Sequence, residues 1–506
     1  MDIFGYIVLA IYVACLVFIS IYCFIQFNLL FHYRKDRKLG KGSSGDDYGN
    51  VDDEYLPYVT VQLPMYNEYF VVERLIDNIM QLDYPKDRFE VQVLDDSTDD
   101  TIELTKAKVE EYKAKGYDIK LMTRVKRKGY KAGALKDATP YAKGEFIAIF
   151  DADFLPDADF LKRTLPQFKD KDVGVVQTRW GHINQGYSIL TELQAFQLNV
   201  HFTVEQKGRE KGDYLLQFNG TAGLWRRKTI EDAGGWEADT LTEDLDLSYR
   251  AQLKGWKIIF LEDTVSPAEL PSEMMGLKSQ QHRWMKGGAE TAKKLLPTVW
   301  SSDLSLMKKL HATTHLLGST VFLSIFLVGV FSVPLLFVIN PLQMNLSLMS
   351  IFLISTVLIA IVYYVANVKK AWENTSTVAA IFKFIVLFPT FLSLSMGLSL
   401  HNSIAVIQGY LGKKSAFVRT PKFAIKSISD SFRKGKYHKY KISKITISEG
   451  LLALYFLGAI IAGIKMGNLS FMVFHIMLFM GYSTIFYFSI KHMSCLLYTS
   501  PSPRDS

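Results

Sequence analysis

The spacing of apolar positions divides the chain into three blocks. Residues Ile3 to Phe31 form a nearly unbroken apolar run, interrupted by serine, Gln26 and Asn28. About 20 apolar residues are enough to cross a bilayer. The run is read as an anchor, not a cleaved signal peptide, because it is long, begins at acidic Asp2 and lacks a small-residue cleavage site. The middle block alternates β-branched runs with helical spacing. Val59–Leu63, Phe89–Leu94, Asp118–Thr123 and Phe146–Phe150 predict strands, and Glu68–Leu82, Thr101–Lys115 and Gly133–Tyr141 predict helices. Val72, Leu75, Ile76 and Ile79 recur on one face of the first helix. Strands separated by helices imply βαβ units and a largely parallel sheet. The fold class is therefore α/β.

Beyond residue 310 the chain turns apolar again. Leu316–Ile339 and Leu346–Val365 read as two spans joined at Asn340-Pro341, and Ile447–Ile464 and Leu469–Ile490 as a final pair. Val378–Leu411 is apolar but contains Lys383, Pro389, His401 and Asn402. Basic residues mark the cytosolic side of a membrane protein. Arg34, Lys35, Arg37 and Lys38 put the middle block there, and Lys369-Lys370 and Lys413-Lys414 return the chain to it. The run from Val378 to Leu411 must then cross an even number of times, as a kinked hairpin or a re-entrant pair. The expected count is six or seven crossings.

Composition narrows the picture. Of 506 residues 49% are apolar and 21% charged, with a formal net charge of +8. That excess fits cytosolic loops, and no basic stripe with aromatic or helix-turn-helix context points to nucleic acid. Cys15, Cys23 and Cys495 lie in or beside apolar runs without metal-ligand spacing, which excludes a disulfide scaffold and fits a reduced compartment. The ending from Cys495 to Ser506 does not read like the rest of the chain. It is expected to be a non-native tail that replaces the natural C-terminus.

The polar residues of the middle block gather where parallel sheets bind ligands, beyond the carboxyl ends of strands. The first strand runs into Tyr66-Asn67-Glu68, the second into Asp95-Asp96, the fourth into Asp151-Ala152-Asp153. An Asp after a strand is commonly a turn or cap residue; three such ends on one sheet edge make a site. Asp151 and Asp153 offer hard oxygen ligands to Mg²⁺ or Mn²⁺. No glycine fingerprint follows the first strand and no phosphate-binding P-loop is present, so the implied ligand is a metal-bound nucleotide diphosphate. Lys131 reads as a phosphate contact or as part of a solvated basic loop. In Thr242-Glu243-Asp244, Asp244 is the candidate general base; alternatively Thr242 caps a helix and the acids decorate its first turn. In Gln280-Gln281-His282-Arg283-Trp284, Arg283 can grip a diphosphate and Trp284 can face a sugar ring, or the segment Met274–Leu296 is an interfacial amphipathic helix.

In this order, Asp95-Asp96, Asp151-x-Asp153, Thr242-Glu243-Asp244 and Gln280-x-x-Arg283-Trp284, followed by spans, resemble the processive family-2 inverting glycosyltransferases of the cellulose synthase superfamily. The resemblance covers roughly residues 55–425. Phe218-Asn219-Gly220-Thr221-Ala222-Gly223 and Glu231–Trp236 look most like cellulose-synthase-like mannan and xyloglucan-backbone synthases and their bacterial relatives. Phe417-x-x-Thr420-x-Lys422 is similar to a gating-loop motif, with Arg419 standing where that motif has Val.

The resemblance implies a GT-A (Rossmann-like) cytosolic domain, residues 55–300, inserted between an anchor, 1–40, and a multi-span region, 301–493, with a gating loop at 412–446. Tyr66, Glu68, Asp95 and Asp96 would contact base and ribose. Asp151 and Asp153 would hold the diphosphate through the metal, with Lys131 and Arg283 beside it. Asp244 would be the base, and Thr242, Glu243, Gln280 and Trp284 would bind the acceptor. The implied partners are a nucleotide-diphosphate sugar (UDP-glucose or GDP-mannose), a β-linked polysaccharide acceptor and a lipid bilayer, with accessory subunits or a homo-oligomer left open. A single-transfer lipid glycosyltransferase shares these residues; the extra spans and the loop favour a polymer synthase. An inactive nucleotide-binding subunit is the reading from outside enzymes, and the intact acids speak against it. The Lys- and Ile-rich style favours a bacterial inner membrane over a Golgi membrane.

Overall fold

The computed structural model describes residues 3–38, 56–338, 353–372, 374–415, 420, 422–424 and 442–497. The tail beyond residue 497, the Asn340-Pro341 turn, Phe417 and Arg419 lie outside them.

The first helix, α1 (Ile3–Lys38), is followed by an alternating series: β1 (Val59–Met65), α2 (Val72–Ile79), β2 (Phe89–Asp95), α3 (Thr101–Ala114), β3 (Ile119–Met122), α4 (Tyr130–Ala138) and β4 (Phe146–Ile149). These match the expected elements within a few residues. Three further strands, which periodicity did not reveal, complete the sheet. After α5 (Phe160–Thr164) comes β5 (Val173–His182), then α6 (Ile189–Val200), a π-helical turn (His201–Gln206) and α7 (Lys207–Lys211). Next are β6 (Gly223–Arg226), α8 (Arg227–Asp232), α9 (Glu243–Leu253) and β7 (Lys257–Ala268).

The seven strands lie in the order β3-β2-β1-β4-β6-β5-β7. Pairing is parallel except that β6 runs antiparallel to both β4 and β5. The sheet is thus mixed where a largely parallel one was expected, and the reversal at β6 keeps β5 and β7 in the same direction as β1, β2 and β4. All of those strands end on one edge. Every residue of β1 and β2 is buried, as a central strand covered on both faces requires. Their polar members pair with each other, Thr60 Oγ1 to Glu90 at 2.8 Å and Gln62 Nε2 to Gln92 at 3.0 Å. Side-chain donors and acceptors inside the sheet are thereby paired across the two strands.

The long helix α10 (Met274–Ser301) runs from beneath the sheet edge toward α11 (Leu306–Leu316) and α12 (Thr320–Val338). Then come α13 (Leu353–Tyr364) with a π-helical extension (Val365–Ala371), α14 (Thr377–Gly397), α15 (Ser399–Tyr410), α16 (Lys444–Met466) and α17 (Met472–Leu497). Among the described residues six segments are long and apolar enough to cross a bilayer: Ile3–Lys35, Thr320–Val338, Leu353–Ala371, Thr377–Gly397, Lys444–Met466 and Met472–His492. They flank the α/β block as the hydropathy pattern predicts. A buried ion pair joins the two parts, Lys278 Nζ of α10 to Glu449 of α16 at 2.6 Å, with Ser489 of α17 at 2.9 Å.

Candidate active site

A cleft of about 220 Å³ opens at the carboxyl edge of the sheet. Its walls include Tyr66 and Glu68 after β1, Asp96 after β2, Lys131 on α4, and Asp151 and Asp153 after β4. Thr242, Glu243 and Asp244 enter from the start of α9, Gln280, Arg283 and Trp284 from α10, and Thr420 and Lys422 from the segment beyond α15. Residues far apart in the chain meet here because parallel strands deliver all their following loops to one edge.

Asp95 is the exception among the expected residues. It is the last residue of β2, 1% exposed, and its Oδ1 accepts from Ser97 N at 2.8 Å. It holds the turn behind the cleft, while Asp96 faces it. Asp96 is gripped by Arg124, whose Nε lies 3.0 Å from Oδ1. Arg127 stacks over the Tyr66 ring with its guanidinium carbon 3.4 Å from the centroid. The result is a flat, cation-backed platform between β1 and β2.

The two acids after β4 differ in engagement. Asp151 is partly open to the cleft and accepts from Lys131 Nζ, which also donates to Gly220 O at 2.9 Å. Asp153 is buried, with Oδ2 accepting from Lys422 Nζ at 2.7 Å and from Glu269 N at 3.0 Å. No cation stands within Asp151-Ala152-Asp153 itself; folding supplies two. Burial alone would lower both lysine pKa values, but nearby carboxylates raise them above the ordinary lysine value, chiefly Asp151 and Glu243 for Lys131 and Asp153 for Lys422. Lys131 is therefore a cleft cation and not part of a solvated loop.

At the start of α9, burial and then the neighbouring Glu243 raise the pKa of Asp244 to about 7. Glu243 is also raised, mainly by burial. Asp244 Oδ1 accepts from Leu245 N at 2.9 Å, which leaves Oδ2 beside Gly220. A Cβ added at Gly220 would sit 3.0 Å from that oxygen, and Gly220 has φ +81°. Glycine is required there on both counts. Thr242 occupies the N-cap position without a side-chain cap bond; its hydroxyl lies 3.0 Å from that of Thr291 on α10. The capping alternative thus holds for the acids of the first turn but not for the threonine.

Arg283 reaches Thr420, Nη2 to Oγ1 at 3.1 Å, and burial lowers its pKa from the usual guanidinium value. Phe423 N donates to Glu269 Oε1 at 2.9 Å. The described part of the loop thus lies in the cleft mouth, and Phe417 is outside the described residues. Wall residues that sequence reasoning missed are Arg127, Trp180 and His182 at the end of β5, Asn219, and Glu269 after β7. Burial, and then Arg179, lower the His182 pKa to about 3, so its ring is neutral.

Asp151 and Asp153 fit a hard divalent cation by donor type and by Asp151's opening to the cleft. Among the described residues another acid cluster, Glu237, Asp239 and Asp246, brings three carboxylates within reach of one another. The ammonium of Lys294 already sits among them, at 2.6, 2.9 and 3.0 Å. That cluster is satisfied as an ion-pair network.

Residues 57–287 match the family described as Glycosyltransferase like family 2. Over 284 residues the chain is 42% identical to glucomannan 4-beta-mannosyltransferase 1 of Oryza sativa subsp. japonica, covering 55% of this chain and 54% of that protein. Over 286 residues it is 41% identical to the probable glucomannan 4-beta-mannosyltransferase 9 of the same plant, again 54% of that protein. The match spans about half the length of these relatives. A mannosyltransferase from Pyrobaculum calidifontis, solved with GDP-Man and Mn²⁺, shares the fold with TM-score 0.53 and 21% identity, covering 79% of this chain and 99% of that one.

Proposed function

We propose, on the premise that residues 57–287 are a family 2 glycosyltransferase domain of GT-A fold, that this chain transfers mannosyl units from GDP-mannose to a growing β-1,4-linked mannan or glucomannan. UDP-glucose is the second donor to consider. The observation that carries the reading is Asp244, a carboxyl brought to a pKa of about 7 in the same cleft as Asp151, Lys131 and Arg283. The names of the rice relatives and the GDP-Man bound to the archaeal fold relative support the donor.

In the proposed reaction Asp244 takes the proton from an acceptor hydroxyl as its oxygen attacks the anomeric carbon. The bond from that carbon to the diphosphate oxygen breaks, and the diphosphate leaves with the electron pair. Attack from the face opposite the nucleotide converts an α-linked donor into a β-linkage. Lys131 and Arg283 lie where they offset the leaving charge. The Tyr66–Arg127 platform beside Asp96 suits a nucleobase and ribose. Asp151 and Asp153 would hold Mg²⁺ or Mn²⁺, which supplies further counter-charge to the diphosphate. Thr420 and Lys422, already seated in the cleft mouth, would exclude water during transfer. Thr242, Glu243, Gln280 and Trp284 would line the acceptor side.

Six candidate spans support a multi-pass membrane protein with its catalytic domain on the cytosolic side, where the basic flanks put it. The expected bacterial inner membrane draws no support from relatives that come from rice; a Golgi membrane is the better proposal. A donor comparison tests the chemistry. Purified protein in nanodiscs with Mn²⁺ should release GDP from GDP-mannose only when an acceptor is supplied. Turnover of UDP-glucose with GDP-mannose left intact would overturn the assigned donor.

A further inference from the structure

Lys286 lies on α10 just beyond Trp284, outside the motif that the cleft uses, and is 1% exposed. A buried ammonium is tolerated only where its N–H groups find partners. Those of Lys286 reach in two directions. On one side Nζ donates to Lys413 O and to Ser415 Oγ, the latter at 2.6 Å. Both lie past the end of α15, on the segment that brings Thr420 and Lys422 into the cleft mouth. On the other side Nζ faces Glu290 Oε1, one helical turn on, at 3.6 Å. Glu290 Oε2 accepts from Leu241 N at 2.9 Å, the amide directly before Thr242-Glu243-Asp244. Two side chains of α10 thus connect the segment beyond α15 to the backbone that carries the proposed base.

The packing around this pair leaves no slack. A Cβ added at Gly287 would stand 2.6 Å from Thr242 Cγ2 and 2.8 Å from Thr242 N. A Cβ added at Gly409 of α15 would stand 2.6 Å from Lys286 O. The backbone of α10 therefore touches the base stretch on one face and α15 on another, and interiors packed this closely pass a displacement on. Arg283 repeats the link nearer the cleft, Nη2 to Thr420 Oγ1 at 3.1 Å. Lys293 makes the contrast. It donates to Tyr410 O at 2.9 Å from an exposed position, where a cation is favourable at any helix C-terminus. Lys293 holds a helix end; Lys286 is tied onward, through Glu290, to Leu241.

We propose that Lys286 and Glu290 are positioning residues that hold the Leu241–Asp244 stretch, and so the base, in register with the segment carrying Thr420 and Lys422. The groups at the cleft mouth and the base then act as one unit at each transfer. The inference rests on the glycosyl-transfer reading above, with Asp244 as the base.

The test uses the full chain in nanodiscs with GDP-mannose, Mn²⁺ and a soluble β-1,4-manno-oligosaccharide, and reads kcat beside GDP affinity. Lys286→Met and Glu290→Ala should each lower kcat roughly 5- to 10-fold, with GDP affinity unchanged. Because the two residues act in series, the double variant should lose no more than the worse single one. Lys293→Met should keep the wild-type kcat. Should Lys286→Met lose GDP binding through misfolding, Ser415→Ala and Glu290→Gln carry the same comparison, with single losses of roughly 2- to 4-fold. Unchanged kcat in the single variants, losses that multiply in the double variant, or an equal loss in Lys293→Met overturns the proposal. A wild-type protein that elongates no β-mannan or β-glucan oligosaccharide with either donor overturns the glycosyl-transfer reading itself, and this inference with it.

Discussion

At Asp244 the surroundings decide what a common residue can do. Burial and the adjacent Glu243 raise its pKa to about 7, close to the value at which a carboxylate both ionises and takes a proton effectively. A base must be ionised to act, and a raised carboxyl pKa means ionisation is lost as pH falls through about 7. The rate kcat should therefore fall on the acidic side of neutrality and level off above it, as a pH profile of GDP release would show. Asp244→Asn should lower kcat by about 10²- to 10⁴-fold with GDP-mannose binding retained; near-normal turnover would remove Asp244 from the role of base. Glu68, Asp96, Asp151 and Asp153 were legible in the sequence because each follows a strand that periodicity reveals. The pair Asp95-Asp96 read as equals, and only the structure separates a turn-holding residue from a cleft residue. Trp180, His182, Asn219 and Glu269 were not legible as wall residues. Their places depend on β5, β6 and β7, whose pairing joins residues distant in sequence and leaves no local period. The pairing of Lys422 with Asp153 was hidden too, since Lys422 arrives from beyond the last turn of α15.

At the scale of elements, the apolar run Val378–Leu411 was the ambiguous one, and its partners show where its ends lie. Near its beginning, Lys383 of α14 pairs with Glu192 of α6 at 2.6 Å. Past its end, Lys413 O accepts from Lys286 of α10. Both ends thus lie against the α/β domain. The bend falls at Leu398, between α14 and α15, where Gly397 meets Gly481 of α17. His492 of α17 contacts Met274 N at the domain, and Gly481 stands about 11 residues, or roughly 16 Å, further along that helix. With both ends on one side of the α/β domain, a re-entrant pair that does not change sides is the expected arrangement. Sequence could state the parity from the flanking lysines but not the depth, because a hairpin and a re-entrant pair share one hydropathy profile. Single cysteines in a chain lacking the native ones should report this. Asn374→Cys and Lys414→Cys should be labelled by an impermeant maleimide from the same face, and Asn468→Cys from the opposite one. Labelling of Asn374→Cys and Lys414→Cys from opposite faces would contradict the re-entrant arrangement.

Across the whole molecule, the catalytic domain and the apolar helices are built as one body. Lys278 with Glu449 and Lys370 with Asp263 at 3.0 Å link the sheet-bearing block to two of the helices. The cleft wall is completed by α10 and by the segment that follows α15. Trp284 and the cleft mouth therefore sit at the junction with the apolar helices, the arrangement a polymer synthase needs if each new unit is to move the product onward without release. The order of blocks, and the mounting of an α/β domain between apolar helices, were legible from hydropathy alone because both patterns are long. What joins the blocks was not, since each link is a single long-range pair. The central claim is repeated transfer to one chain, and the most direct measurement is of the product. Membranes containing the protein are given labelled GDP-mannose, and the product is treated with β-mannanase. The account predicts polymer that the enzyme cuts to short manno-oligosaccharides; a lipid carrying one labelled sugar as the sole product would contradict it.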